Sequence, residues 1–121
     1  MSEVIVIDDN RNTADALVEM LRILGIEARA AYGSSPAMTL LAEQTPPLVL
    51  LDVNMPGADG LEILAYIRRE PRLMKVPAII ITSDDQPETK KRAMDGGAQA
   101  MIIKPASINQ LESALKKVGA M

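Results

Sequence analysis

Four short apolar runs recur along the chain, and each closes on a polar residue: VIVIDD (Val4–Asp9), LVLLD (Leu48–Asp52), AIIIT (Ala78–Thr82) and AMIIK (Ala100–Lys104). Each is too short for a helix and rich in Val, Ile or Leu. Unbroken apolar runs of this length suit strands buried on both faces, as in a parallel sheet. A fifth run, IEARAAYG (Ile26–Gly33), alternates more and reads as an edge strand.

Helical patterns separate the runs. Ala14, Leu17, Val18, Leu21 and Leu24 share one helical face, with Gly25 as the C-terminal cap. Ser35-Pro36 reads as the cap and first turn of a second helix. Leu61, Leu64, Ala65 and Ile67 mark a third, which Pro71 closes. A fourth, short and charged, spans Pro87–Gly97. Ser107 and Gln110 form a capping box for a fifth, with Ile108, Leu111, Leu115 and Val118 as its apolar stripe.

Strand and helix thus alternate five times, which predicts an α/β domain whose parallel sheet is covered on both faces. The 121 residues suit one domain, 1–121. They are too few for a closed eight-fold barrel, which needs about 250. An open, doubly wound five-stranded sheet remains, and the order 2-1-3-4-5 is one of its two common solutions.

Composition narrows the chemistry. The chain has no Cys and no His, so thiol catalysis, disulfides and the commonest zinc ligands are excluded. Its net charge is −3 and aromatics make up 2%. A direct nucleic-acid binder would show a basic patch, and a single-strand binder stacking aromatics as well. No apolar run approaches the roughly 20 residues of a membrane span. The first strand-like run begins at once, without the regions of a signal peptide. A cytoplasmic location is the simplest expectation.

The polar ends carry the functional signal. Parallel strands place their C-terminal ends on one edge, where open α/β sheets bind ligands at the reversal of strand order. With order 2-1-3-4-5 the reversal lies between the first and third strands, which end in Asp8, Asp9 and Asp52. Two unit charges about 4 Å apart repel by about 4 kcal/mol at an effective dielectric near 20. Such a trio needs a proton or a cation, and an all-oxygen set suits Mg²⁺. Lys104 and the Thr82 hydroxyl add groups for phosphoryl oxygens, and free N–H groups after Asp52 add another. An Asp carboxylate can accept a phosphoryl group as an acyl phosphate, and Asp52, alone at the end of a central strand, is the candidate.

These residues, in this order, resemble a response-regulator receiver domain of the single-domain, chemotaxis-regulator-like kind. The resemblance rests on Asp8-Asp9, on Asp52 within LLDVNMPGADG, on Thr82 in IIITS and on Lys104-Pro105 after MII. It implies a flavodoxin-like (βα)5 fold and two-component phosphorelay signalling, with Asp52 as phosphoacceptor. It implies Mg²⁺ held by Asp9, Asp52 and the Asn54 backbone carbonyl, with Asp8 acting through water. Thr82 and Lys104 would bind the phosphoryl group, and Lys104-Pro105 would be a cis peptide.

The donor would be a histidine kinase, a phosphotransfer protein or a small acyl phosphate. Autodephosphorylation would follow, its rate tuned at Asn54 and Asp84. The fourth helix, fifth strand and fifth helix would face a downstream protein or a second copy. The family usually carries an aromatic switch residue three positions before the lysine. Here that position is Met101, which can repack but has no hydroxyl. Ser83 stands where the family often has Ala.

Taken singly, the signals are ordinary. An acidic pair often caps a helix, Asp before Pro and Gly often marks a turn, and Lys-Pro is commonly a loop. Their joint placement at strand ends favours the site. Two other functions compete. A phosphohydrolase with an aspartyl-phosphate intermediate would often carry Asp where Asn54 stands, and a cap domain is missing. A phosphate-independent docking scaffold has Met101 in its favour and the acidic set against it. The reaction expected is on the protein itself, with no separate substrate turned over.

Overall fold

The computed structural model describes residues 3–121. Five strands, β1 (Val4–Ile7), β2 (Ala28–Ala31), β3 (Val49–Leu51), β4 (Ala78–Thr82) and β5 (Ala100–Ile103), alternate with five helices. The helices are α1 (Arg11–Ile23), α2 (Ser34–Glu43), α3 (Gly60–Arg69), α4 (Pro87–Asp95) and α5 (Ile108–Lys117). The strands are all parallel, in the order β2-β1-β3-β4-β5. This is the doubly wound, flavodoxin-like arrangement that the alternation predicts.

Strand periodicity divides the core in two. Ile5 and Ile7 of β1, with Val49, Leu51 and Ile80, meet Leu41 of α2 and Ile63, Leu64 and Ile67 of α3 on one face. Val4, Val6, Leu50, Ile79 and Ile81 meet Leu17 and Leu21 of α1 and Leu111 and Leu115 of α5 on the other. Successive side chains point to opposite sides of a strand, so a strand buried on both faces must be apolar throughout. All residues of β1, β3 and β4 are buried.

The fourth apolar run departs from this. β5 is an edge strand; Met101 is half-buried and Ile103 is exposed. The helix boundaries also shift in places. α2 begins one residue before Ser35, capped by Gly33 at φ +117°, with no side-chain cap bond. Only glycine adopts that backbone readily, so the backbone turn rather than Ser35 starts the helix. In α3 the buried face runs through Ile63, Leu64 and Ile67, while Ala65 faces solvent. In α5 it is Leu111, Ala114 and Leu115 that are buried, with Ile108 and Val118 at its margins. The Ser107–Gln110 capping box is formed.

Register positions the edge. Ile7 pairs with Ala31 and Leu51, and the ladder carries one residue further. Asp8 N–H donates to the Ala31 carbonyl (3.1 Å) and Asp52 N–H to that of Ile7 (2.9 Å). Lys104 N–H donates to the Thr82 carbonyl (2.8 Å). Asp8, Asp52 and Lys104 are therefore held by sheet hydrogen bonds just past their strands.

Candidate functional site at the carboxyl edge of the sheet

Asp8, Asp9 and Asp52 converge as the strand order requires, each with a carboxylate oxygen within 4.8 Å of the others. Asp8 and Asp52 are buried, while Asp9 is open to solvent. Asp8 is already engaged: Oδ1 accepts from the Asn10 N–H (2.9 Å) and Oδ2 from Lys104 Nζ (2.7 Å). The same ammonium lies 3.5 Å from Asp52 Oδ2. Lys104 thus spans the two buried acids. The Lys104-Pro105 peptide that follows β5 is cis, as the resemblance implies.

Burial pushes the Asp52 carboxyl above the usual aspartate range. Lys104 pulls it back down, the charge on Asp8 pushes it up, and the Thr82 hydroxyl and the Asn54 N–H each lower it by hydrogen bonding. Desolvation outweighs these partners, so the Asp52 charge is under-compensated by the protein alone. Three hard oxygen donors with no nitrogen or sulfur among them match Mg²⁺ chemistry better than zinc chemistry. The residues present therefore fit a hard divalent cation.

Thr82 is fully buried at the end of β4. Its Oγ1 also accepts from the Asp84 N–H (3.2 Å). Asn54 is exposed beside Asp52. Met101 lies apart from the acids, packed against the core on the side of α2, α3 and α4. The structure thus brings Asp8, Asp9, Asp52, Thr82 and Lys104 into one cluster, with Asn54 at its rim and Met101 outside it.

Sequence reasoning passed over Gly60. An added Cβ there would sit 1.9 Å from the Asp52 carbonyl oxygen and 2.8 Å from its carbonyl carbon. The first residue of α3 presses against the backbone of the candidate nucleophile, and its N–H donates to the Val53 carbonyl (3.0 Å). A glycine just after an Asp N-cap was the available signal. Asp59 and Glu62 complete the capping box around it.

An acidic trio, two of its members bridged by lysine, thus stands at the reversal point of a five-stranded parallel sheet, the place where open α/β sheets bind ligands. A family model for the response regulator receiver domain matches residues 4–116, and the chain belongs to that family. Solved structures agree. A DNA-binding response regulator of the LuxR family from Staphylococcus aureus is 32% identical, with TM-score 0.86 and 98% of each chain covered. The receiver domain of a signal transduction histidine kinase from Syntrophus aciditrophicus is 26% identical, with TM-score 0.87, covering 99% of this chain and 91% of that one. A chemotaxis protein of Vibrio cholerae shares the fold at TM-score 0.89 and 24% identity, with 98% of each chain covered.

Membership implies phosphorylation-based two-component signalling, with a histidine kinase and a downstream effector as the general partners. Among the described residues, no helix is long and apolar enough to cross a membrane.

Proposed function

We propose that residues 1–121 act as one receiver module in which Asp52 accepts a phosphoryl group and so switches the protein's partners. The observation that carries this reading is the placement of Lys104 Nζ at 3.5 Å from Asp52 Oδ2 and 2.7 Å from Asp8 Oδ2. A fixed cation beside a desolvated carboxylate is what a phosphoryl acceptor needs, because phosphoryl transfer rests on positioning and charge neutralisation.

In the transfer, an Asp52 oxygen attacks phosphorus as the donor's P–N bond breaks. The donor is a phosphohistidine of a kinase or phosphotransfer protein, and the histidine leaves with the bonding pair. With a small acyl phosphate a P–O bond breaks instead. Lys104 and the Thr82 hydroxyl bind the equatorial oxygens, and Lys104 remains paired with Asp8 throughout. Asp9, Asp52 and the Asn54 carbonyl would hold Mg²⁺, with Asp8 assisting through water. That ion supplies charge neutralisation for the phosphoryl oxygens. Water later attacks the acyl phosphate, returning phosphate and the Asp52 carboxylate, and Asn54 and Asp84 stand where that rate is tuned.

The output face comprises α4, β5 and α5. The exposed Ile103 and half-buried Met101 on β5 support it. Its partner is a downstream protein or a second copy of the chain in the cytoplasm, rather than nucleic acid or a membrane surface. The test is intact mass after incubation with acetyl phosphate. One phosphoryl group is expected with Mg²⁺, none without it, and none on Asp52→Asn. An adduct of equal yield on Asp52→Asn would overturn the reading.

A further inference from the structure

The family's aromatic switch is replaced here by Met101, so the route from the site to α4 must be sought in other contacts. Thr82 stands between two groups. Its hydroxyl is among the groups that lower the Asp52 pKa, and its oxygen accepts from the Asp84 N–H at 3.2 Å. Asp84 in turn faces α4. Its Oδ1 accepts from the Gln86 N–H (3.0 Å) and its Oδ2 from the Thr89 hydroxyl (2.8 Å).

Gln86 is the N-cap of α4 and makes no side-chain cap bond. Asp84, two residues upstream, instead holds the N–H of this cap residue and the side chain of Thr89 in the first turn. It ties the cap residue and the first turn together, and Thr89 is 7% exposed. A helix start leaves backbone donors without intrahelical partners, so a carboxylate there is stabilising.

The two ends of α4 are held differently. Within the helix, only Thr89 and Ala93 are buried, and both are small. Just past its C-terminal end, the Gly97 carbonyl accepts from Arg68 Nε (3.1 Å) and Nη2 (2.8 Å). Arg68 Nη1 also donates to the Val76 carbonyl (2.7 Å) and the Met74 carbonyl (3.2 Å). One guanidinium thus fastens the end of α4 to α3 and to the approach to β4. The other end depends on the Asp84 carboxylate, whose own N–H is bound to Thr82.

We infer that Asp84 is a positioning residue, the latch through which Thr82 sets the N-terminal turn of α4, with Arg68 as the pin about which the helix turns. This rests on the proposed phosphorylation of Asp52. When the Thr82 hydroxyl swings toward a phosphoryl oxygen, its oxygen leaves the Asp84 N–H. The loop 83–86 then shifts, and the Asp84–Thr89 hydrogen bond breaks. The first turn of α4 loosens while the Gly97 end stays fixed. The output is a change at α4 that needs no aromatic residue at position 101.

The test is amide hydrogen exchange at residues 90–93 and 96–98, with and without acetyl phosphate and Mg²⁺. The proteins are the parent, Thr89→Val and Thr89→Ser, with adduct read by intact mass. Valine keeps the shape of Thr89 and removes its donor. Without phosphorylation, exchange at 90–93 is expected to rise about fivefold in Thr89→Val, the size of a lost cap. Thr89→Ser should match the parent, and 96–98 should be unchanged throughout. Phosphorylation should raise exchange at 90–93 in the parent and in Thr89→Ser, and add nothing in Thr89→Val.

A phosphorylated Thr89→Val that still shows the parent's full response would overturn the latch and leave Asp84 as a static cap. Adduct on the parent with no change at 90–93 would also overturn it. A parent that forms no adduct removes the functional reading itself, and the relay with it, whatever the cap measurement shows.

Discussion

Lys104 Nζ sits 2.7 Å from Asp8 Oδ2, joining the residue just past the edge strand β5 to the residue just past β1 across the two strands between them, β3 and β4. Asp8 is almost fully buried, so this pair bears on the stability of the fold. Removing one partner of a buried pair leaves the other charge uncompensated, which is costlier than the pair is favourable. Lys104→Ala is therefore expected to destabilise the protein by about 3 kcal/mol at neutral pH. Urea unfolding checks this: the midpoint should fall with the slope unchanged.

Asp52 behaves in the opposite sense. Its folded-state pKa is raised, chiefly by burial, so the folded protein binds more protons than the unfolded chain. Stability then falls as pH rises from the unfolded carboxyl value, about 3.9, through the folded value. The charged form is the costly one. Asp52→Asn should accordingly be more stable than the parent at pH 7 without divalent cation, and the gap should close toward pH 3. Urea midpoints across this range measure it, and an equal gap at both ends would contradict the assignment of the effect to Asp52.

Bound Mg²⁺ is expected to work against that order. A ligand at ten times its Kd stabilises the folded state by about 1.4 kcal/mol. The parent should gain this amount, while Asp9→Asn and Asp52→Asn should gain little at the same concentration. Urea midpoints with Mg²⁺ against an equal ionic strength of NaCl separate the bound ion from screening.

Gly60→Ala drives a methyl group into the Asp52 carbonyl. The clash is with backbone on both sides, so one segment must move. A cost of about 3 kcal/mol is expected, at the upper end for overpacking. Because the segment displaced carries Asp52, the rate of adduct formation from acetyl phosphate should drop at least tenfold. A fully folded Gly60→Ala with the parent's rate would show that the close approach has no bearing on the site.

The sheet and the acidic trio were legible because they depend on strand identity alone. VIVI, LVLL and AIII could be buried on both faces only in a covered parallel sheet, and strand ends share an edge by topology. The exposure of Ile103 follows from the order 2-1-3-4-5, which puts the fifth strand at an edge, while the apolar run AMII alone carries no sign of it. The α2 start was not legible, since Gly33 and its backbone turn override the cap signal of Ser35. Gly60 and Arg68 escaped notice because their roles come from contacts across the chain. The partners of Arg68, Gly97 and Val76, are 29 and 8 residues away. Asp84 was read for its rate-tuning position, while its bond to Thr89 depends on how the loop folds back onto α4.

The central claim is that Asp52 itself becomes the acyl phosphate. An aspartyl phosphate is reduced by borohydride to homoserine, which marks its position permanently. The decisive measurement is peptide mass mapping of borohydride-treated protein from a sample whose intact mass already shows the phosphoryl adduct. The account predicts homoserine at position 52 alone, present with Mg²⁺ and absent without it. Homoserine at position 8 or 9, or an adduct that leaves Asp52 unreduced, would contradict it.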